Sequence, residues 1–278
     1  MEQVRSLLAG SVSGVASTLV CHPLDTIRTR LQSSTPHEFK GAVDCLVKTV
    51  QQEGVLALYK GLSAPLAAQA LYKAVIFASN QFAKQTFPST SLPLLDQFIS
   101  AGFGGAVNSA VVTPIELIRN RLIVQRGKRV KHSGPRDVVR NVIHSEGVLG
   151  LWKGLGPTLL RDVPGVGMWL TAFEMAKAKM KEIRGVSLLE FPDLLLCGSL
   201  GGIAFWSVAL PVDTIKSVVQ VSEKKMNMIQ ATRQIVSQHG IGFLFRAWPV
   251  AFGRGIPGAA VTLSTFDVVS RYLQKNGF

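Results

Sequence analysis

One motif returns three times along the chain, and this repetition constrains the fold more than any other feature. Pro23, Pro114 and Pro211 stand 91 and 97 residues apart and carry the same surroundings. Each is followed at +2 by an acid and at +5 by a base: Asp25/Arg28, Glu116/Arg119 and Asp213/Lys216. A glycine lies nine residues before each proline, at Gly14, Gly105 and Gly202. Further on comes a second shared sign: EGVLALYKG (Glu53 to Gly61), EGVLGLWKG (Glu146 to Gly154) and the weaker HGIGFLFRA (His239 to Ala247). Self-similarity at a fixed period outranks local patterns when a fold is inferred. The chain is three copies of one unit, divided at residues 1–90, 91–186 and 187–278.

Each unit is expected to hold two long helices with a short amphipathic one between them. The first long helix is uncharged over Leu7–Leu24, Phe98–Ile115 and Leu194–Val212. Runs of this length nearly span a bilayer as a helix. Small residues such as Gly102, Gly104 and Gly105 allow close helix contact in lipid. The second long helix is expected at about residues 63–86, 156–180 and 249–273, and the proline is expected to interrupt the first. A soluble solenoid would stack amphipathic helices, whereas these are apolar all round. The pattern predicts an all-α membrane protein: six transmembrane helices in three pseudo-threefold repeats, with short connecting helices and both termini on one side. Connectors such as Phe39 to Gly54 have the pattern of a helix lying at an interface.

Composition narrows the partners. The net charge is +13 over 278 residues. Mean hydropathy is only +0.28, so the repeat carries the membrane reading. The basic residues are scattered over loops rather than gathered with aromatics, which favours anionic lipid over nucleic acid. Cys21, Cys45 and Cys197 suit reduced packing residues, and the five histidines have no metal spacing. No catalytic or phosphate-loop motif appears, and neither cofactor nor metal is expected. The first residues, MEQVRSLLAG, lack the features of a cleaved signal peptide, so targeting is expected within the chain itself.

The triple P-x-[DE]-x-x-[KR] with its [YW]-K-G signs resembles the mitochondrial carrier family over essentially the whole chain. The resemblance implies a barrel of six tilted helices in the inner mitochondrial membrane, acting as a monomer that exchanges small molecules, with three helices on the matrix side. In such a barrel the three proline elbows meet below a central cavity. Asp25 would then pair with Arg119, Glu116 with Lys216, and Asp213 with Arg28, closing a matrix gate. If exposed, each pair contributes only about 0–1 kcal/mol, which suits a gate. The family's bracing glutamine maps to Gln32 and Gln220, while Ile123 breaks the pattern. The cytoplasmic gate, [FY]-[DE]-x-x-[KR], maps to Gln81/Lys84, Glu174/Lys177 and Asp267 with Ser270; only the second copy is complete. Asp267–Lys84 is the one full ion pair expected, with a Gln81–Lys177 hydrogen bond beside it. Lipid sites of the cardiolipin type map to Gly61 and Gly154, and Ala247 departs from the pattern.

Thirteen residues before the acid positions of that gate lie Ala68, Arg161 and Arg254, about 19 Å along each helix at 1.5 Å per residue. Charge at this depth is costly and marks a pathway. Arg161 and Arg254 depart from the symmetry that Ala68 keeps. With Asp162, Gln69 and Tyr72 they form the candidate substrate site. Guanidinium groups bind carboxylates in a fork, Asp162 could face an ammonium, and Tyr72 offers a π face to a quaternary one. RDVPGVGMW with the later Arg254 resembles the carnitine/acylcarnitine and basic amino-acid branch of the family. That resemblance implies carriage of a carnitine-like zwitterion. A basic amino acid is the first alternative; a proton or anion leak and a non-transporting scaffold follow.

Overall fold

The computed structural model describes residues 2–35, 37–86, 93–125, 132–222 and 226–275. Six long helical segments close into a ring. They are α1 (Glu2–Ser33), α3 (Ser63–Thr86), α4 (Pro93–Val124), α6 (Leu155–Arg184), α7 (Phe191–Val221) and the pair α9 (Trp248–Gly253) with α10 (Gly255–Lys275). Around the ring α1 packs on α3, α3 on α4, α4 on α6, α6 on α7, α7 on α10, and α10 back on α1. Between the members of each repeat lie α2 (Ala42–Glu53), α5 (Pro135–Glu146) and α8 (Met228–His239). Among the described residues two helices, Arg5–Ser33 and Phe191–Val221, are long and apolar enough by themselves to cross a membrane.

The prolines do not end their helices, contrary to the expectation from sequence: α1 runs through Pro23, α4 through Pro114 and α7 through Pro211. An internal proline removes one N–H and orphans the carbonyl four residues back. In repeat 2 that carbonyl is Ala110 O, and the Trp152 indole N–H donates to it at 2.9 Å. The even helix of repeat 3 breaks at Arg254, where one continuous helix was expected. Pro257 there leaves the Gly253 carbonyl without its N–H partner, between two glycines.

The connecting helices are copies of one solution. Each buries two residues one turn apart: Cys45 and Thr49, Val138 and Val142, Ala231 and Ile235. Each ends at a glycine with positive φ (Gly54, Gly147, Gly240) and enters a 3₁₀ turn: Val55–Tyr59, Val148–Trp152 or Ile241–Phe245. In repeats 1 and 2 one carboxylate fastens the connector. Glu53 takes Arg30 at 2.6 Å and Lys60. Glu146 takes Arg121 at 2.7 Å and Lys153 at 3.3 Å. Burial alone would raise both carboxyls, but the paired cations outweigh it and hold them below the ordinary glutamate value. Repeat 3 has Val218 and His239 in the equivalent places and keeps only the cation, Arg246.

That cation joins each repeat to the next. Lys60 donates to Gln125 O at 3.3 Å, Lys153 to Ser222 O at 2.7 Å and Arg246 to Ser34 O at 3.2 Å. All three acceptors lie just past the end of an odd helix, where carbonyls lack helical partners and the dipole favours positive charge.

Candidate functional site

The elbows of α1, α4 and α7 bring the charged motif residues into one buried cluster. Asp25 lies 3.1 Å from Arg119, Asp213 lies 3.5 Å from Arg28, and Glu116 meets Lys216, so all three pairs expected across repeats are within ion-pair range. The ring is not the exposed, weakly held one anticipated above. Asp25, Arg28, Asp213 and Lys216 are buried, so water screens them little and each charge must be paired. Gln32 donates to Asp213 at 2.9 Å and accepts from Ser217 at 3.0 Å. Gln220 differs: it accepts from Asn120 at 2.7 Å, and its stem packs against Gly154 rather than on a ring carboxylate.

Both asymmetric arginines reach into this cluster. Arg161 lies 2.8 Å from Asp213, 3.3 Å from Glu116 and 2.6 Å from Asp162. Arg254 lies 3.0 Å from Asp25. Each ring acid is thus held twice, by its partner repeat and by an off-symmetry guanidinium. Among the described residues five cations (Arg28, Arg119, Arg161, Lys216, Arg254) face four carboxylates (Asp25, Glu116, Asp162, Asp213). The excess of one positive charge favours an anionic ligand group.

Above the ring lies a cavity of about 550 Å³. Its floor carries Asp25, Arg28, Glu116, Arg119, Arg161 and Arg254. Its wall is apolar: Trp169 and Phe173 on α6, Phe205 and Trp206 on α7, Leu263 on α10. The Arg28 guanidinium lies 4.4 Å from the Trp206 ring centre, so that indole presents its π face at floor level. These aromatics were missed in the sequence because an aromatic within an uncharged run reads only as membrane span. The recurrence of Gly198, Gly202, Phe205 and Trp206 on one face of α7 is the signal that marks them.

Other expected site residues take different roles. Asp162 does not line the cavity; Arg161 and the Ser109 hydroxyl at 2.9 Å occupy its carboxylate. Gln69 is turned to α1, where it donates to the Thr18 hydroxyl at 2.5 Å. Tyr72 is half-buried, within electrostatic range of Glu116 and Arg119, but is not part of the cavity wall.

At the far end of the barrel the gate residues pair within their own helices. Glu174 holds Lys177 at 2.8 Å, so the Gln81–Lys177 bond is not formed, and Gln81 is exposed. Asp267 is taken by Arg271 at 2.9 Å, one turn along α10, a base one place later than the motif position. The Lys84 side chain lies outside the described residues, and with it the expected Asp267–Lys84 pair. This geometry has the elbow end closed; at the opposite end Arg184 of α6 pairs with Asp193 of α7 at 2.9 Å, and among the described gate residues no pair crosses between helices.

Gly61 and Gly154 have φ of 77° and 91° and sit against the next repeat. A Cβ on Gly61 would come within 3.0 Å of Arg119 O, and one on Gly154 within 2.9 Å of Gln220. Ala247, the departure in repeat 3, has φ −91° and needs no glycine.

Comparison with known proteins fits this architecture. The family model described as mitochondrial carrier protein matches residues 1–91, 90–184 and 187–277. A carnitine/acylcarnitine carrier-like protein of Arabidopsis thaliana is 34% identical over 289 residues, covering 95% of this chain and 96% of that one. The mitochondrial carnitine/acylcarnitine carrier of Mus musculus is 31% identical, covering 97% and 94%. A glutamate/glycine mitochondrial carrier of Schizosaccharomyces pombe is 30% identical, covering 98% and 96%. Three matched repeats, a closed six-helix barrel and a charged cavity floor agree: the chain belongs to the mitochondrial carrier family, whose members are transporters of mitochondrial membranes and not enzymes.

Proposed function

We propose that this carrier crosses the inner mitochondrial membrane six times and exchanges a small zwitterion of the carnitine or acylcarnitine type by alternating access. The observation that carries the reading is the placement of Arg161 and Arg254. Both break the threefold symmetry, both line the cavity floor, and both rest on ring carboxylates. A ligand carboxylate competes with Asp213, Glu116 and Asp25 for these guanidinium groups, and winning them loosens the ring from above. Ligand binding thereby biases the gate, as any ligand with differential affinity for two states must. The cationic end of the ligand then faces the ring carboxylates that those guanidinium groups release, beside the Trp206 ring, rather than Asp162.

A basic amino acid fits less well. It adds a second ammonium, and Asp25 and Glu116 already hold two or more cations each. A passive leak would need neither asymmetric arginine. We infer in addition that cardiolipin phosphates sit by the Gly61 and Gly154 turns. Lys60, Gly61 and Gln125 border a hollow of about 290 Å³ there, and Lys153 and Asn227 one of about 500 Å³.

The test is counter-exchange in proteoliposomes loaded with carnitine. Arg254→Ala removes a charged contact worth about 1.5–3 kcal/mol, so uptake is expected to fall about 10- to 100-fold. The melting temperature should hold, since Arg28 and Arg119 remain on Asp25. Full activity in this variant removes the site. Uptake without internal counter-substrate, unsaturated by any one solute, supports the leak instead.

A further inference from the structure

The three 3₁₀ turns that follow the connecting helices carry side chains that neither the barrel nor the site uses. In repeat 1 Leu56 is 83% exposed, and in repeat 2 Leu149, at the equivalent place, is also 83% exposed. Each follows an exposed valine, Val55 or Val148. In repeat 3 the pair is Ile241, 70% exposed, and Gly242, which has no side chain. One exposed leucine on a protein surface carries no message. The same exposure recurring at symmetry-related tips is a repeated surface.

Its surroundings identify what covers it. The turns VLALY, VLGLW and IGFLF contain no charged residue. The charges that flank the first two turn inward: Glu53 with Lys60, and Glu146 with Lys153. Each turn closes on a partly exposed aromatic; in repeats 1 and 2 it is Tyr59 or Trp152, of the class that gathers where bilayer meets water, and in repeat 3 it is Phe245, which lacks their polar edge. A barrel helix begins within four residues of each turn, and the cation between them (Lys60, Lys153 or Arg246) is engaged with the next repeat, so the apolar tip lies beside the outer face of the barrel. Another protein would have to meet three separated tips at once, whereas a bilayer leaflet surrounds all three.

We propose that these tips insert into the acyl region of the leaflet on the elbow side, and that the mooring is unequal. Val55/Leu56 and Val148/Leu149 reach the hydrocarbon, while the third tip, lacking a leucine, stays near the headgroups. Repeat 3, which also lacks the carboxylate clamp, is then the repeat least held to the membrane surface. The inference rests on the six-span reading and is independent of the substrate.

Spin labels on Leu56→Cys, Leu149→Cys and Gly242→Cys, in the full chain reconstituted into phosphatidylcholine–cardiolipin vesicles, test it. The three native cysteines are buried, and the unsubstituted protein serves as the labelling blank. Collision with oxygen relative to a water-soluble nickel chelate is expected to be several-fold higher at 56 and 149 than at Lys179→Cys, an exposed helix-end control. Position 242 should fall between. Water-like ratios at 56 and 149 overturn the insertion, and a ratio at 242 equal to theirs overturns the inequality. Leu200→Cys, on the outer face of α7, separates the two layers of inference. Lipid-like there with water-like tips, the tip proposal alone fails; water-like there, the spanning arrangement fails and the proposal with it.

Discussion

Trp152 shows how a single side chain serves a backbone need. Pro114 deprives the Ala110 carbonyl of its helical partner, and the indole N–H replaces it from the following turn. Trp152→Phe keeps the ring and removes the donor. The expected loss is about 1 kcal/mol, read as a melting temperature lower by roughly 2–4 °C for a chain of this size; an unchanged melt would mean water serves that carbonyl equally well. The contrast with Asp162 is instructive about what residues declare in a sequence. The motif acids and bases were legible because their spacing recurs, and three equal spacings fix three equal places. Asp162 and Gln69 carry no such recurrence. A helix position gives a face and a depth, but it does not decide whether a carboxylate beside an arginine points to solvent or folds onto that arginine. Arg271 escaped for a related reason: it stands one residue past the motif position, and only the long side chain brings it to Asp267.

At the scale of elements, the connectors divide two against one. In repeats 1 and 2 a positive-φ glycine after the 3₁₀ turn (Gly61, Gly154) and a glutamate clamp recur together; in repeat 3 Ala247 and His239 stand in those two places. Gly154→Ala forces a side chain into a strained region and against Gln220, at about 1–3 kcal/mol. Gly156→Ala, two residues on in ordinary helical conformation with open space around an added Cβ, instead reduces backbone freedom and should be neutral or stabilising by about 0.5–1 kcal/mol. Thermal unfolding in detergent should show a loss for the first alone, and equal losses would remove the conformational explanation. The clamp also predicts acid sensitivity. The Glu53 and Glu146 carboxyls are held below their ordinary value when folded. Their contribution is therefore complete above the ordinary glutamate value, near 4.3, and is lost as pH falls through the folded value. A Glu53→Gln/Glu146→Gln variant should melt lower at neutral pH and show a shallower decline on acidification; a decline as steep as that of the unsubstituted protein would place the sensitivity elsewhere. Helix existence and order could be read from the repeats. The break at Arg254 could not, because Pro164 in α6 is passed without a break, and proline alone does not separate the two outcomes.

For the molecule as a whole, the two ends of the barrel are unequal. The elbow end is bound by a ring of pairs that cross between repeats; at the other end the described gate residues pair within one helix, and Arg184–Asp193 at 2.9 Å joins only the neighbours α6 and α7. Gln81→Glu restores a carboxylate where the motif has one and gives Lys177 a partner on another helix. It should favour the form closed at that end, seen as slower labelling of a Thr262→Cys cavity residue by an impermeant maleimide; unchanged labelling would show that this end does not set the balance. The double hold on each ring acid has a further consequence. With nothing in the cavity, Arg161 and Arg254 stay bolted to the protein's own carboxylates, and parting them would strand several bare charges in a dry interior. A vacant molecule is expected to pay that penalty with no compensation, and so to turn round far more slowly than a laden one: the groups that recognise cargo also deter an empty return trip.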